Sequence, residues 1–536
     1  MMLDFRWHAY KYFPYERALA QREVESLVGQ APQPCGEGLR VSYVPGWRAQ
    51  AYRTTYFCQV VSEDGGSVVP LQASLEESAS GSGRASGEGT VAPVLSRQST
   101  RYSAHGLHEY RGKFNPQIVR AIGNMLGLQP GDTILDPFCG SGTAILEAIH
   151  NGWNAVGIDA NPLAVQIARA KVAAMHVSPY ELSDLTQRVV ERLDERFAGV
   201  AFDKAFVLRS YGRLAGKEWE VHLPNVEYLR SWFRESVLVQ VSAILQEISA
   251  LPSLDVQLVL KTVLSDILRS VSMQDPGDLR MRRLSSPPEN APAVPLFLSS
   301  ALSKVDQVLR ARARLESIQC GQTVMVGDAR RCSGAMGDVA NPSRFSAVVT
   351  SPPYATALPY IDTQRFSLLL FGHVRSDELR EQERRMIGTR EMQASEREAL
   401  DQGMTGAKKG LPQECISFCG TLRAALNNST DGFRRQNTPA LVYKYLRDMA
   451  DMFGNLGHML DPGTPFALVV GRNTTTLGGR TYTVNTPELL ALVAEDNGFE
   501  LQETMELDTY PRYDVHQANS IRSETLVILR ARGNAC

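Results

Sequence analysis

The sequence lacks several features that would narrow its function at once. No run of apolar residues approaches the ~20 that a membrane-spanning helix needs. The eight cysteines form no CxxC pair, which argues against a structural zinc site. Residues 1–14 mix charged and aromatic side chains and contain no apolar stretch of signal-peptide length. We therefore expect a cytoplasmic protein with reduced thiols, no metal and no membrane partner.

Neither sign of charge is in excess. The 536 residues include 56 Lys and Arg against 58 Asp and Glu, which gives a formal net charge of −2. A protein with this balance can bind a nucleic acid only through local basic patches. The hydrophobic fraction of 43% and charged fraction of 21% predict folded domains rather than disorder or a coiled-coil rod.

Composition separates an N-terminal extension, residues 1–72, from the rest of the chain. Ser, Gly, Ala and Glu dominate residues 73–100, and large apolar side chains are rare there. Such a segment cannot bury enough surface to offset its ordering entropy. We therefore expect a flexible linker at 73–100.

The remaining chain has the pattern of one α/β domain that is interrupted twice. Two strand–turn–helix units lie within residues 101–178, and strand and helix signals return over 321–536. Residues 179–320 have mostly helical periodicity and predict a helical insertion with a possible role in target recognition. Residues 375–438 are polar and dotted with glycine, and predict an irregular excursion. The expected fold class is α/β, with a doubly wound parallel sheet.

A glycine-rich turn joins the first strand of this domain to its helix. The turn reads Asp136-Pro-Phe-Cys-Gly-Ser-Gly-Thr143 and matches neither GxGxxG nor the Walker A pattern. Its glycines would let a ligand approach the backbone, and the following helix offers free N–H groups. Asp159 ends the next strand, where an acid can accept both ribose hydroxyls of a nucleoside cofactor. An ordinary turn followed by a helix-capping aspartate is the alternative.

A second motif, Ser-Pro-Pro-Tyr at residues 351–354, directly follows a later strand. With the glycine turn, it resembles the motif pair of the amino-methyltransferases, which transfer a methyl group from S-adenosylmethionine (SAM) to an exocyclic amine of a base, mostly in DNA. The segment from His105 to Pro116, HGLHEYRGKFNP, resembles the family segment that lines the methionine end of SAM. The resemblance covers about 101–178 and 321–536.

The resemblance implies a Rossmann-like methyltransferase sheet and SAM as the cofactor. It implies a cofactor site made of Lys113, Phe114, Asp136, Phe138, Gly140, Ser141, Gly142, Thr143, Asp159 and Asp328. It implies a catalytic motif made of Ser351, Pro352, Pro353 and Tyr354.

These residue types suit the chemistry of an aromatic amine, whose lone pair is delocalised into the ring. Hydrogen bonds from its N–H groups to the Ser351 hydroxyl and the Pro352 carbonyl would draw the nitrogen toward sp³ and aim its lone pair. Successive prolines fix φ, so these acceptors are set in advance. Tyr354 would stack on the base after it is flipped from the duplex.

We therefore expect a site-specific DNA methyltransferase of restriction-modification or defence type, with double-stranded DNA as a partner and a separate nuclease or defence subunit as another. Ser351, where adenine enzymes mostly have aspartate, favours cytosine N4 over adenine N6. Transfer-RNA guanine-N2 methylation and a non-catalytic nucleic-acid-binding subunit remain alternatives. Basic side chains that could contact phosphates cluster at Arg280, Arg282 and Arg283, at Arg310, Arg312 and Arg314, at Lys408 and Lys409, and at Arg434 and Arg435.

Overall fold

The computed structural model describes most of the chain. The described residues are 1–79, 98–110, 112–198, 221, 223–275, 281–287, 291–315, 317–332, 345–355, 361–404, 411–427, 431–508 and 523–533. Within them, a central seven-stranded sheet carries helices on both faces, and a smaller sheet precedes it in the chain.

The N-terminal extension forms an antiparallel sheet with two helices. Its strands are β1 (Met2–Trp7), β2 (Gln33–Cys35), β3 (Gly38–Ser42), β4 (Phe57–Ser62) and β5 (Ser67–Val68). They pair in the order β2-β3-β1-β4-β5. Its helices are α1 (Pro14–Val28) and α2 (Trp47–Arg53). The first turn of α1 is capped by the Glu16 carboxylate, which accepts the backbone N–H of Phe13 at 2.6 Å.

The predicted linker at 73–100 is wrong for its first residues. They belong to α3 (Leu71–Ala79), and its Glu76 is buried. The Glu76 carboxylate accepts hydrogen bonds from Gln72 Nε2 at 2.7 Å and from Gln117 Nε2 at 3.2 Å. These bonds and the burial of α3 offset the ordering entropy that composition alone suggested would prevail. Residues 80–97 lie outside the described residues.

The central sheet confirms the expected α/β class. Its strands are β6 (Thr133–Asp136), β7 (Asn154–Asp159), β8 (Gln322–Val326), β9 (Ala347–Thr350), β10 (Pro465–Gly471), β13 (Phe499–Asp508) and β14 (Ser523–Ala531). Their order is β13-β14-β10-β9-β6-β7-β8. Strands β8, β7, β6, β9 and β10 run parallel, and β14 pairs antiparallel with both β10 and β13. A separate hairpin joins β11 (Asn473–Leu477) to β12 (Arg480–Val484).

Helices cover both faces of this sheet. They are α4 (Pro116–Met125), α5 (Thr143–Asn151), α6 (Pro162–His176), α17 (Thr438–Gly457) and α18 (Thr486–Asp496). Neighbouring residues of β9 point to opposite faces: Val349 packs in the core cluster that contains α4 and the extension, and Val348 packs in the one that contains α17 and α18. Strands buried on both sides explain the continuous apolar runs of the sequence.

Over the described residues of the insertion at 179–320, the regular elements are helices, and one isolated β-bridge joins Gln274 to Arg283. Its helices are α7 (Pro179–Arg196), α8 (Val226–Arg230), α9 (Glu235–Ser249), α10 (Leu254–Leu268) and α11 (Ala293–Arg312). They share a hydrophobic core with α6.

The composition of residues 375–438 suggested an irregular stretch, and this prediction is wrong. Preceded by α12 (Arg365–Leu370), its described residues form four short helices: α13 (Leu379–Arg385), α14 (Ala394–Gly403), α15 (Gln413–Ala424) and α16 (Phe433–Gln436). Few apolar side chains anchor each helix, for example Leu379 in α13 and Leu400 in α14. Because these helices are short and mostly polar, their periodicity is too weak to recognise in the sequence.

Among the described residues, none of the helices combines the length and apolar character that crossing a membrane requires.

Candidate active site

The carboxyl ends of the parallel strands open into a cavity of about 260 Å³. Fourteen residues were predicted from the sequence to form the cofactor and catalytic site. Ten of them line this cavity: Lys113, Phe114, Phe138, Gly140, Asp159, Asp328, Ser351, Pro352, Pro353 and Tyr354. Three more line a smaller adjoining pocket: Asp136, Ser141 and Thr143. The two motifs, about 200 residues apart in the sequence, therefore meet at one edge of the sheet, as ligand sites do in open α/β sheets.

Gly142 lines neither cavity, and the structure gives it a packing role. Its φ is 76°, and a Cβ added there would lie 2.7 Å from Cβ of Ala168 in α6. Gly140 also has a positive φ, 49°, but it borders the cavity. One glycine of the turn thus lets α5 start close against α6, and the other leaves the backbone open to a ligand.

Asp136 connects the glycine turn to the strand that precedes the second motif. The buried carboxylate accepts the Thr350 hydroxyl at 2.6 Å and the backbone N–H of Phe138 at 3.1 Å. Burial raises the pKa of Asp136 to about 7. Because Thr350 ends β9 directly before Ser351, this bond sets the end of β9 relative to the turn.

Asp159 holds the glycine turn against the start of α6. Its Oδ2 accepts the backbone N–H of Gly140 at 2.9 Å, and its Oδ1 accepts that of Asn161 at 2.8 Å. The cap of α6 is Asn161, whose side chain accepts the N–H of Leu163. The alternative of a plain helix-capping aspartate therefore does not describe Asp159. Desolvation raises its pKa to about 6.

Two lysines flank the turn without an acidic hydrogen-bond partner among the described residues. Nζ of buried Lys171 donates to the carbonyl of Ser141 at 2.6 Å, and Nζ of Lys113 donates to the carbonyl of Thr100 at 2.7 Å. Desolvation lowers the pKa of Lys113 to about 7. An anionic group bound at this end of the cavity would find Lys113 beside it.

The segment that leads into Lys113 is anchored on the buried carboxylate of Glu147. Nε2 of His105 and Nδ1 of His150 each lie 2.9 Å from its Oε1, and the Tyr102 hydroxyl donates to the same oxygen at 2.7 Å. Arg120 Nε donates to Oε2 at 3.2 Å. The histidines and Glu147 have metal-ligand spacing. The guanidinium already neutralises the carboxylate, so we assign the cluster a structural role.

Asp328 borders the cavity, but its carboxylate is already engaged. Arg330 donates to Asp328 Oδ2 from Nη2 at 2.7 Å and to Asp448 from Nη1 at 2.9 Å. Burial opposes ionisation of Asp328, yet the hydrogen bonds from Arg330 outweigh it and lower the pKa. A nucleoside amine could share this carboxylate, whose side chain is 38% exposed.

The Ser-Pro-Pro-Tyr motif is fixed on neighbouring strands. The Ser351 hydroxyl donates to the Val469 carbonyl of β10 at 3.0 Å, and the Tyr354 hydroxyl donates to Oε1 of Glu524 in β14. Gly388, with φ of 76°, covers the motif: a Cβ there would lie 2.9 Å from the Tyr354 carbonyl oxygen. Since the Ser351 proton is directed at β10, the lone pairs of its oxygen remain for an incoming donor.

Several lining residues escaped the sequence reasoning: Tyr110, Gly112, Asn115, Pro137, Ala160, Ala329, Arg385, Met386, Ile387 and Glu524. The first three lie in the segment His105–Pro116, which had been recognised only as a whole. Arg385 to Ile387 follow from the excursion at 375–438, whose helices had not been foreseen. Glu524 carries no local signal, because only the pairing of β14 with β10 brings it to the site.

The predicted basic patches are only partly available. Arg310 donates to the Ser78 carbonyl at 2.9 Å and pairs with Asp306, and Arg312 donates to the Val177 carbonyl, so both guanidinium groups tie α11 to its surroundings. Arg283 lies over the ring of Trp232 at 5.2 Å. Arg280, Lys408 and Lys409 lie outside the described residues.

Residues 107–207 match the family model described as UPF0020: RMKL-like, methyltransferase domain. This part of the chain is therefore similar in sequence to a methyltransferase domain. The resemblance to amino-methyltransferases is therefore confirmed over this part of the chain, and SAM is the methyl donor that such a domain uses. The cavity fits SAM, since it combines an open glycine turn, the Asp159 carboxylate for hydroxyl groups and Lys113 for a carboxylate.

Three relatives show how far the similarity extends. The chain is 33% identical over 102 residues to type II methyltransferase M.MjaII of Methanocaldococcus jannaschii, which covers 19% of the chain and 18% of the relative. It is 32% identical over 97 residues to a tRNA (guanine(10)-N2)-dimethyltransferase of Methanothermobacter thermautotrophicus, and this match covers 18% of the chain and 29% of the relative. It is 22% identical over 280 residues to type II methyltransferase M.MvaI of Kocuria varians, and this match covers 51% of the chain and 57% of the relative. The chain thus spans less than two thirds of each relative.

Proposed function

We propose that this protein is a SAM-dependent DNA methyltransferase that acts on an exocyclic amine of a flipped base, with cytosine N4 as the target. The observation that carries the proposal is the Ser351 hydroxyl, which lines the cavity and is oriented by the Val469 carbonyl so that its oxygen accepts rather than donates. Type II methyltransferases among the relatives support DNA as the substrate.

Bound SAM would supply an electrophilic methyl group carried on a positively charged sulfur, so that the sulfur–carbon bond breaks as the nitrogen–carbon bond forms and one amine proton is released to water. Ser351 Oγ and the Pro352 carbonyl accept the two amine hydrogens and hold the nitrogen lone pair toward the methyl carbon. The Tyr354 ring stacks on the flipped base. Asp159 and Lys113 line the same cavity and would hold the cofactor, through its ribose hydroxyls and its carboxylate.

The choice of cytosine rests on the neutral acceptor. A carboxylate makes hydrogen bonds roughly twice as strong as a neutral hydroxyl does. Both target amines need two acceptors, so the geometry alone serves either base. The Ser form of the motif is mostly linked to cytosine in the amino-methyltransferases that the sequence resembles, and the Asp form mostly to adenine.

Transfer-RNA guanine N2 is the second candidate, because one relative is named for that activity at an identity similar to that of M.MjaII. The guanine amine is flanked by two ring nitrogens, one of which carries a hydrogen, whereas the cytosine amine is flanked by a single ring nitrogen that carries none. For a DNA substrate, we further propose a restriction-modification or defence context, with a separate nuclease or defence subunit as partner. This context does not apply to a tRNA substrate.

Transfer of a tritiated methyl group from SAM, measured with DNA and tRNA in parallel, tests the substrate. Digestion to nucleosides and mass spectrometry then identify the base. We expect N4-methyldeoxycytidine in DNA and no label in tRNA. N6-methyldeoxyadenosine would refute the target base alone, and N2-methylguanosine in tRNA would refute the DNA proposal. Tyr354→Ala is the matched control, which should bind SAM and transfer no methyl group.

A further inference from the structure

Glu524 belongs to no recognisable sequence motif, yet it lies at the edge of the sheet where the cavity opens. It is the second residue of β14 and pairs with Gly471 of β10 on one side and with Leu507 of β13 on the other. Its side chain lines the same cavity as Ser351 and Tyr354. Glu524 on β14 and the motif that follows β9 therefore meet at the same edge of the sheet.

The carboxyl of Glu524 has no basic partner among the described residues. Oε1 accepts the Tyr354 hydroxyl, and none of the described groups donates to Oε2. Burial raises the pKa of Glu524. Enclosing a carboxyl without a cation costs free energy, and within the described part of the chain the Tyr354 hydroxyl is the one side-chain donor to it.

The hydrogen bond spans β10. Tyr354 follows β9, Glu524 lies on β14, and β10 runs between these two strands. Neighbouring strands lie about 4.8 Å apart, so the Tyr354 side chain extends across the end of β10 to reach its acceptor. Ser351 is anchored on β10 itself, through Val469. The motif is therefore fixed at both ends, by its serine and by its tyrosine.

We propose that Glu524 is a positioning residue that sets the plane of the Tyr354 ring against the target base. This role rests on the proposed function, in which the ring stacks on a flipped base. Stacking on an aromatic ring stabilises a bound base only when the two planes are parallel and close. A tyrosine side chain held only at its backbone can rotate, and an acceptor for its hydroxyl removes that freedom.

A double-mutant cycle separates this role from a general structural one. The variants are Glu524→Ala, Tyr354→Phe and their combination, with Glu524→Gln as the conservative variant because an amide oxygen still accepts the hydroxyl. For each we would measure kcat, KM for the nucleic acid and the SAM dissociation constant. Glu500→Ala, at an exposed site on the neighbouring strand β13, is the matched control.

We expect Glu524→Ala and Tyr354→Phe each to raise KM for the nucleic acid about tenfold, as loss of one hydrogen bond of ~1.4 kcal/mol would. The double variant should be no worse than either single one, and Glu524→Gln should stay within about threefold of wild type. SAM affinity should not change. Additive losses, or a Glu524→Gln as impaired as Glu524→Ala, would overturn the proposal.

The same cycle read by urea unfolding reports the hydrogen bond without any substrate. Coupling between positions 354 and 524 is expected there too, and its absence would also overturn the proposal. If wild type methylates tRNA instead of DNA, the kinetic cycle is run on tRNA, and the proposed DNA function fails while the role of Glu524 stands. If wild type transfers methyl to neither, both fail.

Discussion

Replacing Asp159 with alanine tests the cofactor site most directly. The side chain ends β7 at the cavity and already holds the N–H groups of Gly140 and Asn161, one on each oxygen. Each oxygen keeps a further lone pair, so the carboxylate can accept two ribose hydroxyls without releasing the turn. Asp159→Ala removes those acceptors and loosens the glycine turn at the same time.

The loss follows from the strength of charge-assisted hydrogen bonds. Removing them should cost about 1.5 to 3 kcal/mol of SAM binding, or roughly 10- to 150-fold in affinity. The pKa of about 6 adds a pH signature. Hydroxyl groups bind the ionised carboxylate, so wild-type affinity should fall as the pH drops through 6. Because the pKa of Lys113 is about 7, affinity should also fall as the pH rises above 7 and this lysine loses its charge. Asp159→Asn should bind weakly at every pH, without the inflection near pH 6.

Isothermal calorimetry of SAM binding between pH 5 and 8 measures both effects. Asp255→Ala, at an exposed carboxylate in the first turn of α10, controls for loss of one negative charge. Circular dichroism of Asp159→Ala should match wild type. An affinity within error of wild type at pH 8 would refute the assignment of Asp159 to the cofactor.

Three further changes test the support of the site. Gly142→Ala should lower the free energy of unfolding by about 2 to 5 kcal/mol in urea titration, since it combines a positive φ with a Cβ 2.7 Å from Ala168; a loss below 0.5 kcal/mol would contradict the packing role. Gly388→Ala should press on the Tyr354 carbonyl and lower kcat at least tenfold with unchanged SAM affinity, and unchanged kcat would show that the motif tolerates displacement. Asp136 has a pKa raised to about 7, so its contribution to stability is present below about pH 4 and is lost as the pH rises through 7. Wild type should therefore lose stability relative to Asp136→Asn between pH 4 and 8, and parallel stability curves would contradict this.

Much of the sheet could be predicted from the sequence. The strands β6 to β10 are short apolar runs bounded by turn residues, and buried parallel strands have that pattern because both faces meet helices. The glycine turn and the Ser-Pro-Pro-Tyr motif were found because each is contiguous in the chain.

What the sequence could not supply depends on contacts between distant segments. Glu524 reaches the cavity only through the antiparallel pairing of β14 with β10, which leaves no local pattern. The sequence analysis did not predict that Arg330 donates to the Asp328 carboxylate. The five strands of the extension are two to six residues long, too short for a clear period. The helix α3 was assigned to a linker because its small polar residues pack on neighbours that composition does not show.

The packing of the extension at 1–72 limits how the protein can be truncated. Leu19 and Val24 of α1 belong to the same hydrophobic cluster as Val349 of β9 and Leu526 of β14. Arg22 of α1 also pairs with a glutamate of β13 at 2.8 Å. Cutting the chain after the extension would expose the apolar side chains that it covers on one face of the sheet to water and to other chains. We therefore expect the extension and the sheet to unfold as one cooperative unit, and a chain that lacks the extension to aggregate.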